Sequence, residues 1–354
     1  MVMYKNTKIF RLFQYPVMIS ALVSLIVLLF FSGVLNADFV MWDDDINMFM
    51  NRKFGELSFK RIYQTFVDFN SMNRYGPLNS ISQLMIYHFF HLNPLAYHFM
   101  NWIFHGLSSG LLFLIIRKIL FSQLKIKTDN ELYYWQINIT ALLTTLLWAL
   151  HPLRVEPVAW AAASGHDQAL FFLLLSTLFY LKAVALENDN KSNMYFIVSA
   201  FIFYVVSLLS QAIGITYFAV FFIFDIFLFK RLGGNIGWWK SKKARRVLFE
   251  KLIFAIPAVL IGIMSIVVRI KSAGLSQPSI ISPDYGLIDR FMQAMYILSY
   301  YIWRHFYPAD LAPVYTTLVS FNPLSLPFIS SALSVITVSI VLFIFRNKMP
   351  LLAA

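Results

Sequence analysis

Two strings hold the densest chemistry in this 354-residue chain. One is the triplet Asp43-Asp44-Asp45. The other is His151-Pro152-Leu153-Arg154-Val155-Glu156-Pro157-Val158-Ala159-Trp160, followed by Ser164-Gly165-His166-Asp167. Adjacent like charges repel, and a purely structural loop gains little from three of them. Carboxylates held at a boundary suit a general base, a metal site or a docking point for a cation. The second string places His, Arg, Glu and Asp between two apolar runs. Ionisable side chains cost about 2.5–3.5 kcal/mol each at a bilayer centre, and less near its faces. They persist there by pairing with one another or with a ligand. Arg154 and Glu156, two residues apart, therefore carry two readings: a loop staple, or groups presented to a ligand.

The elements that must position these strings are membrane spans. The chain is 59% hydrophobic and 13% charged, against about 25% charged residues in soluble domains. Pro16 to Leu35 is an uncharged apolar run whose helical length matches a bilayer core of roughly 30 Å. It lacks a small-residue cleavage site and reads as an uncleaved anchor. Apolar runs predict nine spans, at 15–35, 96–117, 136–150, 167–186, 194–209, 212–229, 252–270, 286–304 and 326–345. The expected fold is an all-α polytopic bundle forming one transmembrane domain over 1–354. Between the first two spans, 36–95 is a structured loop. Phe59, Ile62, Tyr63, Phe66 and Phe69 recur at helical spacing opposite Lys60, Arg61, Gln64 and Asp68, which predicts a helix lying in the membrane interface. A second helix is expected from Pro77 to about His91.

Lysine and arginine set the orientation. With the N-terminus in the cytoplasm, the tail, the 117–134 loop, the turn with Lys182 and Lys191 and the basic 230–251 loop all face inward. Their basic residues outnumber those on the opposite side. The triplet, the 151–165 segment and the 271–285 loop then face outward. A net charge of +12 arises from these short loops, so it marks topology and not a nucleic-acid partner. The chain has no cysteine, which excludes disulfides and thiol chemistry. A Gly-rich nucleotide loop is absent, which argues against a soluble nucleotide-sugar donor.

Four strings in order resemble one family. HPLRVEPVAWAAASGHD (151–167) is similar to the His-Pro-x-x-x-Glu-x-Val-Ala-Trp segment of the transmembrane and tetratricopeptide-repeat O-mannosyltransferases and their bacterial relatives. Trp42-Asp43-Asp44-Asp45 resembles that family's acidic motif after its first span. Asn93-Pro94, His98 and Asn101 resemble its Asn-Pro-x-x-x-His-x-x-Asn pattern. Tyr300 to Arg304, with Pro308, Leu311 and Tyr315, resemble a later Tyr- and Pro-containing stretch. The resemblance spans residues 38 to about 320 and implies a GT-C type glycosyltransferase. Such an enzyme moves a hexose, mannose for example, from a polyprenyl-phosphate carrier to a protein or glycan hydroxyl on the extracytoplasmic face. A bacterial inner membrane is expected over the endoplasmic reticulum.

What the resemblance implies for single residues is equally definite. Asp44 or Asp45, with Asp43 beside them, would act as base or metal ligand. A divalent cation, magnesium or manganese, is the candidate cofactor, with Asp44 and Asp45 as its ligands. Arg154, His166, Arg269 and Arg290 would hold the donor phosphate. His151, Glu156, Asp167 and Tyr315 would support them. Two positions depart from the pattern, since relatives commonly carry Arg at His166 and Lys at Gln211. The chain also ends at Leu351-Leu352-Ala353-Ala354 where family members continue into repeats, so a truncated form or a short member is expected.

Other signals carry ordinary readings. His88 with His91, and His98 with His105, share helix faces without a carboxylate at metal-ligand spacing, so interfacial and packing roles are expected over zinc. Asp225 is expected to pair with Lys230 by snorkelling. Two rival functions remain: a transporter or flippase of lipid-linked sugars, which would show two-fold internal repeats, and an inactive relative serving as a scaffold.

Overall fold

The computed structural model describes residues 15–50, 55–67, 74–124, 131–187, 190–232, 241–273, 286–312 and 321–345. Every regular element among them is helical, as the apolar periodicity predicts. Backbone contacts divide the chain into two compact units, Met1–Arg269 and Ile270–Ala354.

The first unit holds α1 (Pro16–Phe30), α2 (Phe59–Val67), α3 (Pro77–Phe90), α4 (Pro94–Leu124), α5 (Glu131–Ala149), the short α6 (Val155–Ala159), α7 (Ser164–Ala185), α8 (Asn190–Ser210), α9 (Tyr217–Ile223) and all but the last turn of α10 (Lys242–Ala273). Proline opens α1, α3 and α4, where its missing N–H is one of those a helix start leaves unbonded anyway. The expected loop helices at 57–69 and 77–91 are both present, as α2 and α3. Phe59 and Tyr63 of α2 are exposed, as an interfacial helix requires.

Helix α4 is the axis of this unit. Its 31 residues span about 46 Å. Against α1 it presents Gly106 and Gly110, and a Cβ at Gly110 would stand 2.4 Å from Ser24 Oγ. Ser20 Oγ donates to Gly110 O at 2.9 Å. Small residues four apart on both helices let the backbones approach closely, the usual solution where lipid supplies no hydrophobic drive. On another side Ile115 of α4 packs with Leu174 and Leu181 of α7. Farther along, Tyr180, Tyr204, Phe221 and Phe254 join α7, α8, α9 and α10 in the largest apolar cluster.

At one end of that cluster lies a buried ionic group. Asp225, in a π-helical turn at Phe224–Leu228, pairs with Arg231 at 3.1 Å and Lys251 at 2.7 Å. Arg231 also meets Glu250 at 3.1 Å, and the Tyr180 hydroxyl donates to Asp225 Oδ2 at 2.6 Å. The expected Asp225–Lys230 pair is therefore corrected. Lys230 is exposed, with a left-handed φ of 50°, while Arg231 turns inward to the acid.

Among the described residues five helices are long and apolar enough to cross a membrane: Pro94–Ser122, Ala161–Ala185, Asn193–Ser210, Ala244–Lys271 and Leu326–Phe345. Pro16–Phe30 and Ala212–Leu228 are apolar but shorter. The protein is thus an integral, multi-pass membrane protein, and the expected nine spans are not all met. Gln136, Asn138 and three threonines dilute α5, and its apolar window falls short. In the second unit, α12 (Leu326–Phe345) qualifies, whereas α11 (Leu287–Arg304) carries Asp289, Arg290, Gln293 and Arg304 and does not. Within that unit, Tyr296 of α11 stacks on Phe328 of α12.

Candidate functional site

The acidic triplet divides its residues between the interior and the surface. Asp43 has a φ of 63°, a left-handed conformation that Asp tolerates better than most residues, and it is exposed. The sharp turn it makes directs Asp44 into the protein, where Asp44 is fully buried. Asp44 Oδ2 accepts from Val40 N at 3.0 Å, and Oδ1 accepts from Ala162 N at 2.9 Å. Burial raises the Asp44 pKa above the usual carboxylate range. The two backbone N–H groups and His98 oppose that rise, and Asp43 adds to it. Asp45 opens a π-helical turn, is half-buried, and its carboxylate accepts no hydrogen bond among the described residues.

The Asp44–Ala162 bond joins residues 118 apart, and the first loop meets the second string through it. Two further bonds hold the junction. Trp160 Nε1 donates to Trp42 O at 2.9 Å, and Asn101 Nδ2 donates to Trp160 O at 2.8 Å. The Asn-Pro…His…Asn pattern thereby acquires a physical meaning. His98 and Asn101 share one face of α4, with His98 near enough to Asp44 to act on it electrostatically and Asn101 gripping the Trp160 backbone.

His151 caps a 3-10 turn, its Nδ1 accepting from Leu153 N at 3.2 Å. Glu156 is exposed and forms no ion pair with Arg154, so the staple reading is not met. Arg154 instead lies over the Trp148 ring at 5.3 Å and interacts electrostatically with Asp167. Burial lowers the Arg154 pKa against the pull of Asp167. Asp167 is almost wholly buried. Arg154 Nε and Asp167 Oδ2 are both buried without a hydrogen-bond partner among the described residues.

The two departures from the family pattern touch each other. His166 Nε2 and Gln211 Nε2 stand 3.1 Å apart, and His166 Nδ1 is 3.2 Å from Ala163 O. A carbonyl can only accept, so Nδ1 carries the proton, and Nε2 accepts from the Gln211 amide. In this arrangement the second nitrogen of the imidazole is already engaged by Gln211. A phosphate contact through Nε2 would require Gln211 to leave. The pair belongs to a wider polar network between α3, α7 and the end of α8. Gln83 Nε2 donates to Ser164 Oγ at 3.1 Å, Ser164 Oγ to Asn79 Oδ1 at 2.8 Å, and Gln168 Nε2 to Ser82 Oγ at 3.0 Å. Arg74, exposed at the start of this region, is close enough to His166 to act on it electrostatically.

The other proposed cations belong to other helices. Arg269 is exposed near the end of α10, and Arg290 is exposed in the first turn of α11, within the second unit. Tyr315 lies outside the described residues. Arg74 and the amides of α3 are not among the residues that the sequence motifs single out. A lone arginine in a loop carries no pattern, but Asn79, Ser82 and Gln83 recur at helical spacing in an otherwise apolar helix, a stripe that could have marked them.

No three His, Asp or Glu side chains gather to hold a metal among the described residues. Asp44 directs both oxygens to backbone N–H groups, which leaves Asp45 and Asp43 as carboxylate donors.

Fold and site together define a class: an all-helical, multi-pass membrane protein whose acidic first loop docks on a His-Pro…Trp segment at the start of a later span. The chain is similar to a protein O-mannosyl-transferase of Xenopus laevis, 26% identical over 301 residues, which is 80% of this chain and 34% of the relative. A Mus musculus protein O-mannosyl-transferase is 27% identical over 232 residues, 61% of this chain and 30% of its own. One of Homo sapiens is 29% identical over 162 residues, 46% of this chain and 18% of its own. These similarities bear out the family resemblance carried by the motifs. The chain spans about a third or less of the length of these relatives. No family model matches the sequence, and no solved structure matches it.

Proposed function

We propose that the chain is a glycosyltransferase that moves a hexose, mannose by analogy with its relatives, from a polyprenyl-phosphate carrier to a protein hydroxyl on the extracytoplasmic face. The observation that carries this reading is the docking of the acidic loop through Asp44 onto Ala162, beside a half-buried and unengaged Asp45. Asp44 is then a positioning residue and Asp45 the base. Asp45 takes the acceptor hydroxyl proton as that oxygen bonds to the anomeric carbon. The bond from that carbon to the phosphate oxygen breaks, and the electron pair leaves with the polyprenyl phosphate. Arg74, exposed and near His166, receives the phosphate charge. No step is routed through a metal.

The test uses the full chain in lipid nanodiscs with radiolabelled polyprenyl-phosphate sugars and an acceptor peptide. Transfer from one carrier is expected, with Asp45→Asn lowering the rate by about 10²–10⁴-fold. Absence of transfer from every carrier by folded protein would overturn the enzyme reading in favour of a scaffold. Net movement of intact carrier between leaflets would favour a flippase.

A further inference from the structure

We infer that the amide side chains gathered around Gly165 form the surface that recognises the hydroxyl groups of a neutral hexose on the lipid carrier. This inference rests on the glycosyltransferase reading and deepens it. Each hexose hydroxyl donates one hydrogen bond and accepts others, so the side chains suited to it offer both functions without charge. Around the first turn of α7 the fold assembles such groups from three helices.

Gly165 is where they converge. A Cβ at that position would stand 2.4 Å from Gln211 Oε1 and 3.2 Å from Asn79 Nδ2. The absent side chain thus lets two amide ends, one from the end of α8 and one from α3, approach the same point on α7. Internal hydrogen bonds use only half of each amide. Asn79 gives its oxygen to Ser164, and its Nδ2 has no protein partner among the described residues. Gln211 gives its nitrogen to His166 and keeps Oε1. Gln168 gives its nitrogen to Ser82, and its Oε1 is buried without a partner.

Gln168 Oε1, buried and unmet, carries a cost that a hydrogen bond would offset, whereas the free ends of Asn79 and Gln211 sit on half-buried residues open to a ligand. The two free ends within reach, Asn79 Nδ2 as donor and Gln211 Oε1 as acceptor, form a mixed, uncharged pair. Asn79, His166 and Gln211 are half-buried and reachable, and Gln83, Ser164 and Gln168 are buried behind them. The His166–Gln211 hydrogen bond fits the same ligand chemistry, since it occupies the imidazole internally and leaves Gln211 Oε1 for a hydroxyl. Arg74 stands beside this surface, suited to the phosphate that the ring carries.

The experiment compares two ligands on the full chain in nanodiscs, bare polyprenyl phosphate and polyprenyl-phosphate mannose, each by direct binding. Wild type is expected to prefer the sugar-loaded carrier. Gln211→Met and Asn79→Leu are each expected to cut that preference by about 10-fold, with little change in affinity for the bare carrier. Gly165→Ala reaches the same end by displacing both amide tips, and it serves where the other variants fail to fold. An unchanged preference in the folded variants overturns the inference, as does a wild type that binds both carriers equally. A wild type that binds neither overturns this inference and the enzyme reading together. One that prefers the loaded carrier but never transfers sugar overturns the enzyme reading alone.

Discussion

Asp44 turns inward to accept two backbone N–H groups, while Asp45 beside it keeps a free carboxylate. Their substitutions should therefore fail in different ways. Asp44→Asn offers one acceptor where two are needed and sets an NH₂ group against a backbone N–H, a loss of about 1–3 kcal/mol. It should lower thermal stability as well as activity, whereas Asp45→Asn should lower activity alone. The pH dependence carries a sign as well. Burial raises the folded pKa of Asp44 above its unfolded value, so the native state holds a proton that the unfolded state has released. Its contribution to stability is complete below the unfolded carboxylate range and is lost as pH rises through the folded pKa. Thermal unfolding of wild type and Asp44→Asn from about pH 4 to pH 7 should show wild type losing this increment with rising pH and the variant not. Parallel profiles would refute the assignment. The sequence singled out the triplet because like charges in a row are conspicuous. It could not divide the labour among the three, because the division depends on a left-handed turn at Asp43 and on an N–H group 118 residues away.

Helices were legible where apolar residues ran long enough to overwhelm their polar neighbours, as in α4, α7 and α10, and less so where polar residues served contacts. In α5, Asn138 Oδ1 receives Arg117 Nε at 2.8 Å, so a residue that weakens the apolar signal is one that holds the helix. The ionic group at Asp225 was misread for a similar reason. Sequence proximity favoured Lys230, but the π-helical turn and the reversal after it direct Arg231 inward, and α10 brings Lys251 from a distance. This group ties α7, the turn after α9 and α10 together, and removing one charge strands the others. Asp225→Asn should cost about 3–5 kcal/mol, measurable as a lower midpoint of thermal unfolding in detergent. The double variant Asp225→Asn/Lys251→Met should recover part of that loss. If the double variant is no more stable than the single one, the two residues do not act as a pair.

At the scale of the whole molecule the decisive quantity is orientation, because the proposed reaction draws its sugar from a carrier on one membrane face. The sequence carries that information only as a bias of lysine and arginine toward alternate loops, with the 230–251 loop the richest. The fold adds that the 151–167 segment and the acidic loop lie together, so one orientation decides the position of both. The chain contains no cysteine, so a single introduced cysteine reports without background. Glu156 and Lys242 are both exposed, and neither side chain makes a hydrogen bond or ion pair among the described residues, so Glu156→Cys and Lys242→Cys should leave the fold intact. In sealed cells or spheroplasts, a membrane-impermeant maleimide is expected to label Glu156→Cys at once. Lys242→Cys should react only after permeabilisation. The reverse pattern would put Asp45 and Arg74 on the cytoplasmic side and remove the outward-facing lipid-linked donor, although the amide surface around Gly165 would keep its geometry. Prior binding of polyprenyl-phosphate sugar should not alter labelling at Lys242→Cys, which serves as the control for any protection seen at Glu156→Cys.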